Sequence, residues 1–172
     1  MEQLVEEGKV RAIGVSNFDV SLLRKCEGVR HVDSLQPPFS LIRREVAAAE
    51  IPWCNANRTG VIVYSPMQAG ILTDSFSADR VKQMAPEDWR RKSSNFQTPW
   101  LEKNLALRDS LRPIAKRHET TVAAVALAWT LSWPAVPTTA KYGVSTQSAS
   151  TPATASSTTL GIAAPYFTYS GP

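Results

Sequence analysis

Two short apolar runs, Val10-Arg11-Ala12-Ile13-Gly14-Val15 and Val61-Ile62-Val63-Tyr64, each break off into polar residues, Ser16-Asn17 and Ser65-Pro66. Apolar runs without alternation mark strands of a parallel sheet, because helices cover its faces. A third short run, residues 32–36, is stopped by Pro37-Pro38. The segments between and after these runs read as helical. Residues 1–7 form a helix end closed by Gly8, and Asp19 caps a helix that reaches Lys25 and ends at Gly28. Residues 45–50 are Ala-rich and helical, and Pro52 opens a further helical turn. Residues 75–97 lack periodicity and read as a long loop with a helical turn near Glu87. Thr98-Pro99 opens a helix whose apolar face carries Leu101, Leu105, Ile114 and Ala115, and Pro113 kinks or splits it. Thr121 caps a final helix, Val122–Leu131. The order is a βαβ series, so the fold class is α/β with a parallel sheet. In such folds the polar residues just past the strands' C-terminal ends line the ligand site.

Length and composition narrow this. A chain of 172 residues can bury one real core but is short of the roughly 250 residues of a complete eight-stranded α/β barrel. Its 43% apolar and 20% charged content are those of a soluble globular protein. The net charge of +4 does not point to nucleic acid, because Lys and Arg are scattered. The densest basic cluster, Arg90-Arg91-Lys92, sits beside Glu87-Asp88 and reads as a solvated face. Cys26 and Cys54 lack any paired spacing, so no metal site and no disulfide is expected, and a reducing, cytoplasmic setting fits. The N-terminus is acidic and unlike a signal peptide. The most apolar segment, residues 122–133, falls short of the about 20 residues that span a bilayer. After Glu119 there is no acidic residue, and from Pro137 Ser and Thr dominate, with Lys141 the one charge. Two segments are therefore expected: an ordered domain, 1–136, and a low-complexity, disordered or frame-shifted tail, 137–172.

Taken one by one, the candidate site residues have structural readings. Ser16 and Asn17 can cap the following helix, Gln36 can serve a turn before the prolines, and Tyr64 can be a core aromatic at a strand end. His31 and His118 are isolated, and the five tryptophans read as packing residues.

Taken together, the stretches from Gly8 through Phe18, from Leu35 through Leu41 and from Gly60 through Met67, with Asn104-Leu105 to Trp133-Pro134 behind them, resemble the C-terminal half of an aldo/keto reductase. The resemblance runs from Met1 to about Val136. It implies a partial (β/α)8 TIM-type barrel comprising strands five to seven, and NADP-dependent (NADPH) reduction of aldehydes and ketones without a Rossmann glycine motif. It places carboxamide-holding residues at Ser16, Asn17 and Gln36, whose side chains supply donors and acceptors. It places the nicotinamide-stacking aromatic at Tyr64, and the loop that approaches the pyrophosphate at Ser65, Met67 (usually Leu in the family) and Gly70. The family's acid–base Asp, Tyr, Lys and His belong to earlier strands, so no catalytic residue is expected in this chain, which alone is expected to be inactive. Tyr64 is no substitute, since no Lys or His stands near it in the sequence to lower its pKa. A small carbonyl compound is the expected substrate once the barrel is completed. The alternative is a non-catalytic half-barrel module that associates, as a homodimer through its strand edges, or only binds nucleotide.

Overall fold

The computed structural model describes residues 1–133, and the Ser/Thr-rich segment expected to be disordered lies outside them. The elements are α1 (Glu2–Glu6), β1 (Gly14–Ser16), α2 (Val20–Glu27), β2 (Ser34–Gln36), α3 (Glu50–Asn57), β3 (Gly60–Val61), α4 (Ala78–Lys82), α5 (Trp100–Ser110), α6 (Arg112–Arg117) and α7 (Val122–Leu131). Short 3-10 turns cover Glu45–Ala47, Gln68–Gly70, Trp89–Lys92 and Ser94–Phe96. The three strands form one parallel sheet in the order β1-β2-β3.

The helix signals act as the sequence indicates. The Asp19 carboxylate accepts from the Leu22 amide and the Thr121 hydroxyl from the Ala124 amide, each satisfying a first-turn donor. Gly8 takes a positive φ of 70° behind α1, a conformation costly for other residues. Pro52 falls inside the first turn of α3, where its missing N–H is harmless. Pro113 divides the long helix into α5 and α6. At Thr98-Pro99 the outcome differs. The helix starts at Trp100, and the Thr98 hydroxyl donates to the Glu102 carboxylate instead of accepting from an amide.

The strands are shorter than the apolar runs. Residues 10–12 do not pair, because the amides of Lys9 and Val10 already donate to the Leu4 carbonyl at the end of α1. Ile13 joins the ladder by side chain and backbone: its amide donates to the Asp33 carboxylate, and its carbonyl accepts from the Asp33 amide. β3 ends at Val61, with Tyr64 returning to bridge Pro38. At the N-terminal edge of the sheet the buried Thr59 hydroxyl donates to the Val32 carbonyl at 3.0 Å.

Register assigns the faces. Gly14 pairs with Ser34, Val15 with Leu35, and Ser16 with Gln36; Ser34 pairs with Gly60 and Leu35 with Val61. Leu35 and Val61 are fully buried, each worth roughly 1.5–3 kcal/mol of burial. The alternate positions, Gly14, Ser16, Gln36, Ile62 and Tyr64, are exposed, Ile62 at 46%. One face of the sheet is thus buried and the other open. Beyond β2, Phe39 is fully buried and stacks at 5.0 Å on Trp129 and edge-on at 5.5 Å on Trp133, joining the β2 loop to α7. Trp129 and Trp133 are packing residues, while Trp89 is exposed and leans edge-on against Phe96.

Gly14 is required by this register. A Cβ there would lie 2.4 Å from the Ser34 hydroxyl oxygen and 3.3 Å from the Ser34 carbonyl. Gly14→Ala is expected to lower the urea-derived unfolding free energy by about 1–3 kcal/mol. In a Ser34→Gly background that loss is expected to shrink by about half or more, and equal losses in both backgrounds would refute the contact.

Candidate functional site

The three strands end on one side of the sheet, and their tips are tied across it. The Ser16 hydroxyl and the Asn17 amide both donate to the Gln36 main-chain carbonyl, at 2.9 and 3.1 Å. The Tyr64 hydroxyl donates to Asn17 Oδ1 at 3.1 Å, linking β1 to the end of the third run. Asn17 holds a φ of 60°, a conformation that Asn tolerates better than most residues. These bonds leave the Gln36 carboxamide and the Asn17 side-chain nitrogen exposed, without a partner among the described residues. The Tyr64 ring is 36% exposed beside them. Ser16, Asn17, Gln36 and Tyr64 therefore converge at one polar surface.

Ser65, Met67 and Gly70 lie on the adjoining loop between β3 and α4. It folds tightly on itself. The Gln68 amide donates to the Ser65 carbonyl, those of Gly70 and Leu72 to Met67, and that of Thr73 to Gly70. This path needs φ of 54° at Ser65, 47° at Gln68, 48° at Ala69 and 105° at Gly70. A non-glycine residue in this region costs roughly 1–2 kcal/mol. Among the described residues six non-glycines have positive φ, and their placement is uneven. Arg58 caps α3 and Glu119 follows α6, the ordinary use of this conformation at helix ends. The other four all lie at the strand tips or in the β3 loop. Backbone strain of this kind clusters where a ligand is held.

Several residues that shape this loop carry no sequence signal of a role there. Ser40, fully buried in the β2 loop, donates from its hydroxyl to Gln68 Oε1 at 3.2 Å and accepts from the Ile42 and Arg43 amides. The Asp74 carboxylate accepts from the Val122 amide at the start of α7 and pairs with Arg112 at 3.3 Å. On α5, the buried positions include Asn104 and Arg108, where an apolar stripe was expected. Leu105, expected on the apolar face, is only half-buried. Asn104 donates from its side-chain nitrogen to the Asn95 carbonyl at 3.1 Å.

Among the described residues, the titratable groups elsewhere do not gather into a second cluster. Burial, and secondarily Glu50, push the Cys54 thiol up to about 11, so it stays protonated at neutral pH. His31, just past α2, pairs with Glu27, the last residue of that helix, at 3.0 Å. Among the described residues no group of three His, Cys, Asp or Glu side chains could hold a metal ion, and no helix is long and apolar enough to cross a membrane.

Residues 1–159 match the model of the Aldo/keto reductase family, a match that continues past Val136. The chain is 30% identical over 135 residues to Aldo-keto reductase YhdN of Bacillus subtilis (strain 168), covering 78% of this chain and 40% of that protein. It is 31% identical over 131 residues to an NADH-specific methylglyoxal reductase of Escherichia coli (strain K12), covering 76% of this chain and 39% of that one. Among solved structures, the glycerol dehydrogenase AKR11B4 from Gluconobacter oxydans superposes with a TM-score of 0.73 at 30% identity, over 78% of this chain and 40% of that chain. An aldo-keto reductase from Klebsiella pneumoniae in complex with NADPH superposes with a TM-score of 0.53 at 26% identity, over 79% and 39%. The chain thus spans about two fifths of the length of each of these proteins.

One carboxylate beside the β3 loop, that of Asp109, carries a pH dependence. Hydrogen bonds from Arg112 first, and then from Arg108, hold the Asp109 carboxyl below its ordinary value, against a partial loss of solvation. A folded-state value below the unfolded one adds stability at higher pH that fades as pH falls through the lowered value. Asp109→Asn is therefore expected to be less stable than the wild type near pH 7, with the two converging as pH falls below 3.8, the ordinary aspartate value. Urea unfolding across this range checks it, and a difference that persists unchanged into strong acid would contradict it.

Proposed function

The chain belongs to the aldo/keto reductase family of oxidoreductases, a TIM-type α/β fold, and from that premise we propose that its strand tips form the nicotinamide-nucleotide side of a carbonyl reductase site. In this reading β1, β2 and β3 are strands five, six and seven of a (β/α)8 barrel, and the open sheet face is the barrel's interior. The observation that carries the proposal is the convergence of Ser16, Asn17, Gln36 and Tyr64 at one polar, exposed surface beside a loop held in strained backbone.

The residues fit the group. A nicotinamide carboxamide has two N–H donors and one carbonyl acceptor. The Gln36 carboxamide and the Asn17 side-chain nitrogen offer both complementary kinds of atom at the exposed face, the Asn17 side chain being oriented by the Tyr64 hydroxyl. The half-exposed Tyr64 ring offers a flat apolar surface against which a nicotinamide can stack, which selects the ring face turned to the substrate. Ser65, Met67 and Gly70 lie on the tight loop offered to a diphosphate, and Gly70 permits its turn with a φ of 105°. When bound, the reduced nicotinamide supplies the hydride that an aldehyde or ketone carbon accepts. No residue of this chain is given the role of proton donor to the carbonyl oxygen. The Tyr64 hydroxyl is turned to Asn17, and no Lys or His bonds to it among the described residues. NADP is the favoured cofactor because the Klebsiella pneumoniae neighbour is in complex with NADPH. The Escherichia coli relative is named as NADH-specific, so the two nucleotides must be compared directly.

A second reading rests on the open sheet face. Ile62 is exposed beside Tyr64, and β1 and β3 are the edges of the three-stranded sheet. Such a face can serve association in place of turnover.

Binding of NADPH and of NADH, followed by tryptophan fluorescence, tests the first reading. NADPH is expected to bind, and Tyr64→Ala to weaken it by about tenfold through lost stacking, about 1.4 kcal/mol. Nucleotide oxidation with aromatic and aliphatic aldehydes then reports whether the chain turns over. Dimerisation with no nucleotide binding at all would favour the association module.

A further inference from the structure

The β3–α4 loop cannot hold its shape on local preference alone. Ser65, Gln68 and Ala69 sit in left-handed backbone without being glycine, and such strain persists only where the surroundings over-determine it. Beside the Asp74 contacts to Arg112 and the Val122 amide, two contacts from outside reach the strained part of the loop and its exit. One is the Ser40 hydroxyl on Gln68 near the loop's start. The other comes from α5. Arg108 is 6% exposed, and its Nη1 donates to the Thr73 carbonyl at 2.9 Å and to the Phe76 carbonyl at 2.8 Å. Its Nε donates to the Asp109 carboxylate at 2.8 Å, which balances the buried charge. From Thr73 the restraint passes inward: both the Thr73 amide and its hydroxyl donate to the Gly70 carbonyl, at 3.1 and 2.7 Å.

A guanidinium in the buried row of α5, between Leu101 and Leu111, is costly to desolvate. A leucine there would pack without that cost but would leave the Thr73 and Phe76 carbonyls without this donor. One nitrogen of the arginine, Nη1, serves two acceptors 3 residues apart in one loop, while Nε keeps the Asp109 carboxylate.

We propose that Arg108 is a positioning residue for the nucleotide, holding the β3–α4 loop in the strained conformation that receives the diphosphate. The proposal rests on the reading of that loop as the diphosphate side of the site. Arg108 touches no nucleotide atom itself and acts through Thr73 and Gly70.

The test combines amide hydrogen exchange with NADPH affinity on the full chain. In Arg108→Met, exchange is expected to rise about tenfold at residues 70–76 while the strand amides of Asn17 and Ile62 keep wild-type protection. NADPH affinity is expected to fall about tenfold in the same variant. Lys keeps one donor nitrogen for the carbonyls but has no Nε–H for Asp109 and no planar group to fix its approach, so Arg108→Lys is expected to fall between, at about a three- to fivefold loss. Should Arg108→Met fail to fold, Arg108→Lys decides by the same two readouts. A uniform rise in exchange over the whole chain, or wild-type NADPH affinity in the folded variant, overturns the proposal. If the wild type binds neither NADPH nor NADH, the proposed function fails with the positioning role. Selective exchange at residues 70–76 would then show only that Arg108 restrains the loop.

Discussion

The structure depends on the period of two along three short parallel strands. Once Val15, Leu35 and Val61 take one face, with Leu35 and Val61 sealed from solvent, the alternate residues must take the other. That other face receives Gly14, Ser16, Ser34, Gln36, Ile62 and Tyr64. A slip of one residue in β2 would bury Gln36 against helices and expose Leu35, and one in β3 would expose Val61. The register is secured at the N-terminal edge by side chains that bridge neighbouring strands. Asp33 accepts from Ile13, and Thr59 donates to Val32. Ser34 fills the space that Gly14 leaves, so the first paired row is matched in volume as well as in hydrogen bonding.

With the N-terminal edge secured this way, the C-terminal edge can be polar, exposed and strained. The bonds there are few and serve orientation: Ser16 and Asn17 to the Gln36 carbonyl, and Tyr64 to Asn17. The β3 loop is supported from elements remote in sequence, by Ser40 ahead of it and by Arg108, Arg112 and the start of α7 behind it. Helices α5 to α7 thus shape the loop as well as cover core. Asp74 illustrates this, one carboxylate receiving a helix N-terminal amide and an arginine together. The same support explains how several non-glycine residues remain in left-handed backbone within one short stretch.

Much of the framework was legible from local signals. Asp19 and Thr121 are short polar side chains placed where a helix leaves amide donors unpaired, and both cap as expected. Pro113 divides the helix that contains it. Apolar runs located the three strands but overstated their length. A run shows that residues can be buried, not that their amides are free to pair. At residues 9 and 10 the amides are already taken by the end of α1. The apolar face of α5 was misjudged for a related reason. Asn104 is buried where it serves the Asn95 carbonyl just ahead of α5, and Arg108 where it serves two carbonyls of a loop remote in sequence, and helical periodicity counts such residues as surface.

The sequence by itself determined the order of the three strands and the main helices, the caps at Asp19 and Thr121, the parallel α/β class and the family, through motifs whose residues act on near neighbours or lie at strand ends. It also singled out Ser16, Asn17, Gln36, Tyr64, Ser65, Met67 and Gly70 as candidates for one site. Only the tertiary structure decided that Tyr64 reaches Asn17 across 47 residues, that Ser40 meets Gln68 across 28, and that Arg108 holds Thr73 across 35. Those pairings follow from how loops return over the sheet. No local propensity encodes that path, because it is set by the burial of Phe39, Ile71 and Leu72 against elements elsewhere in the chain.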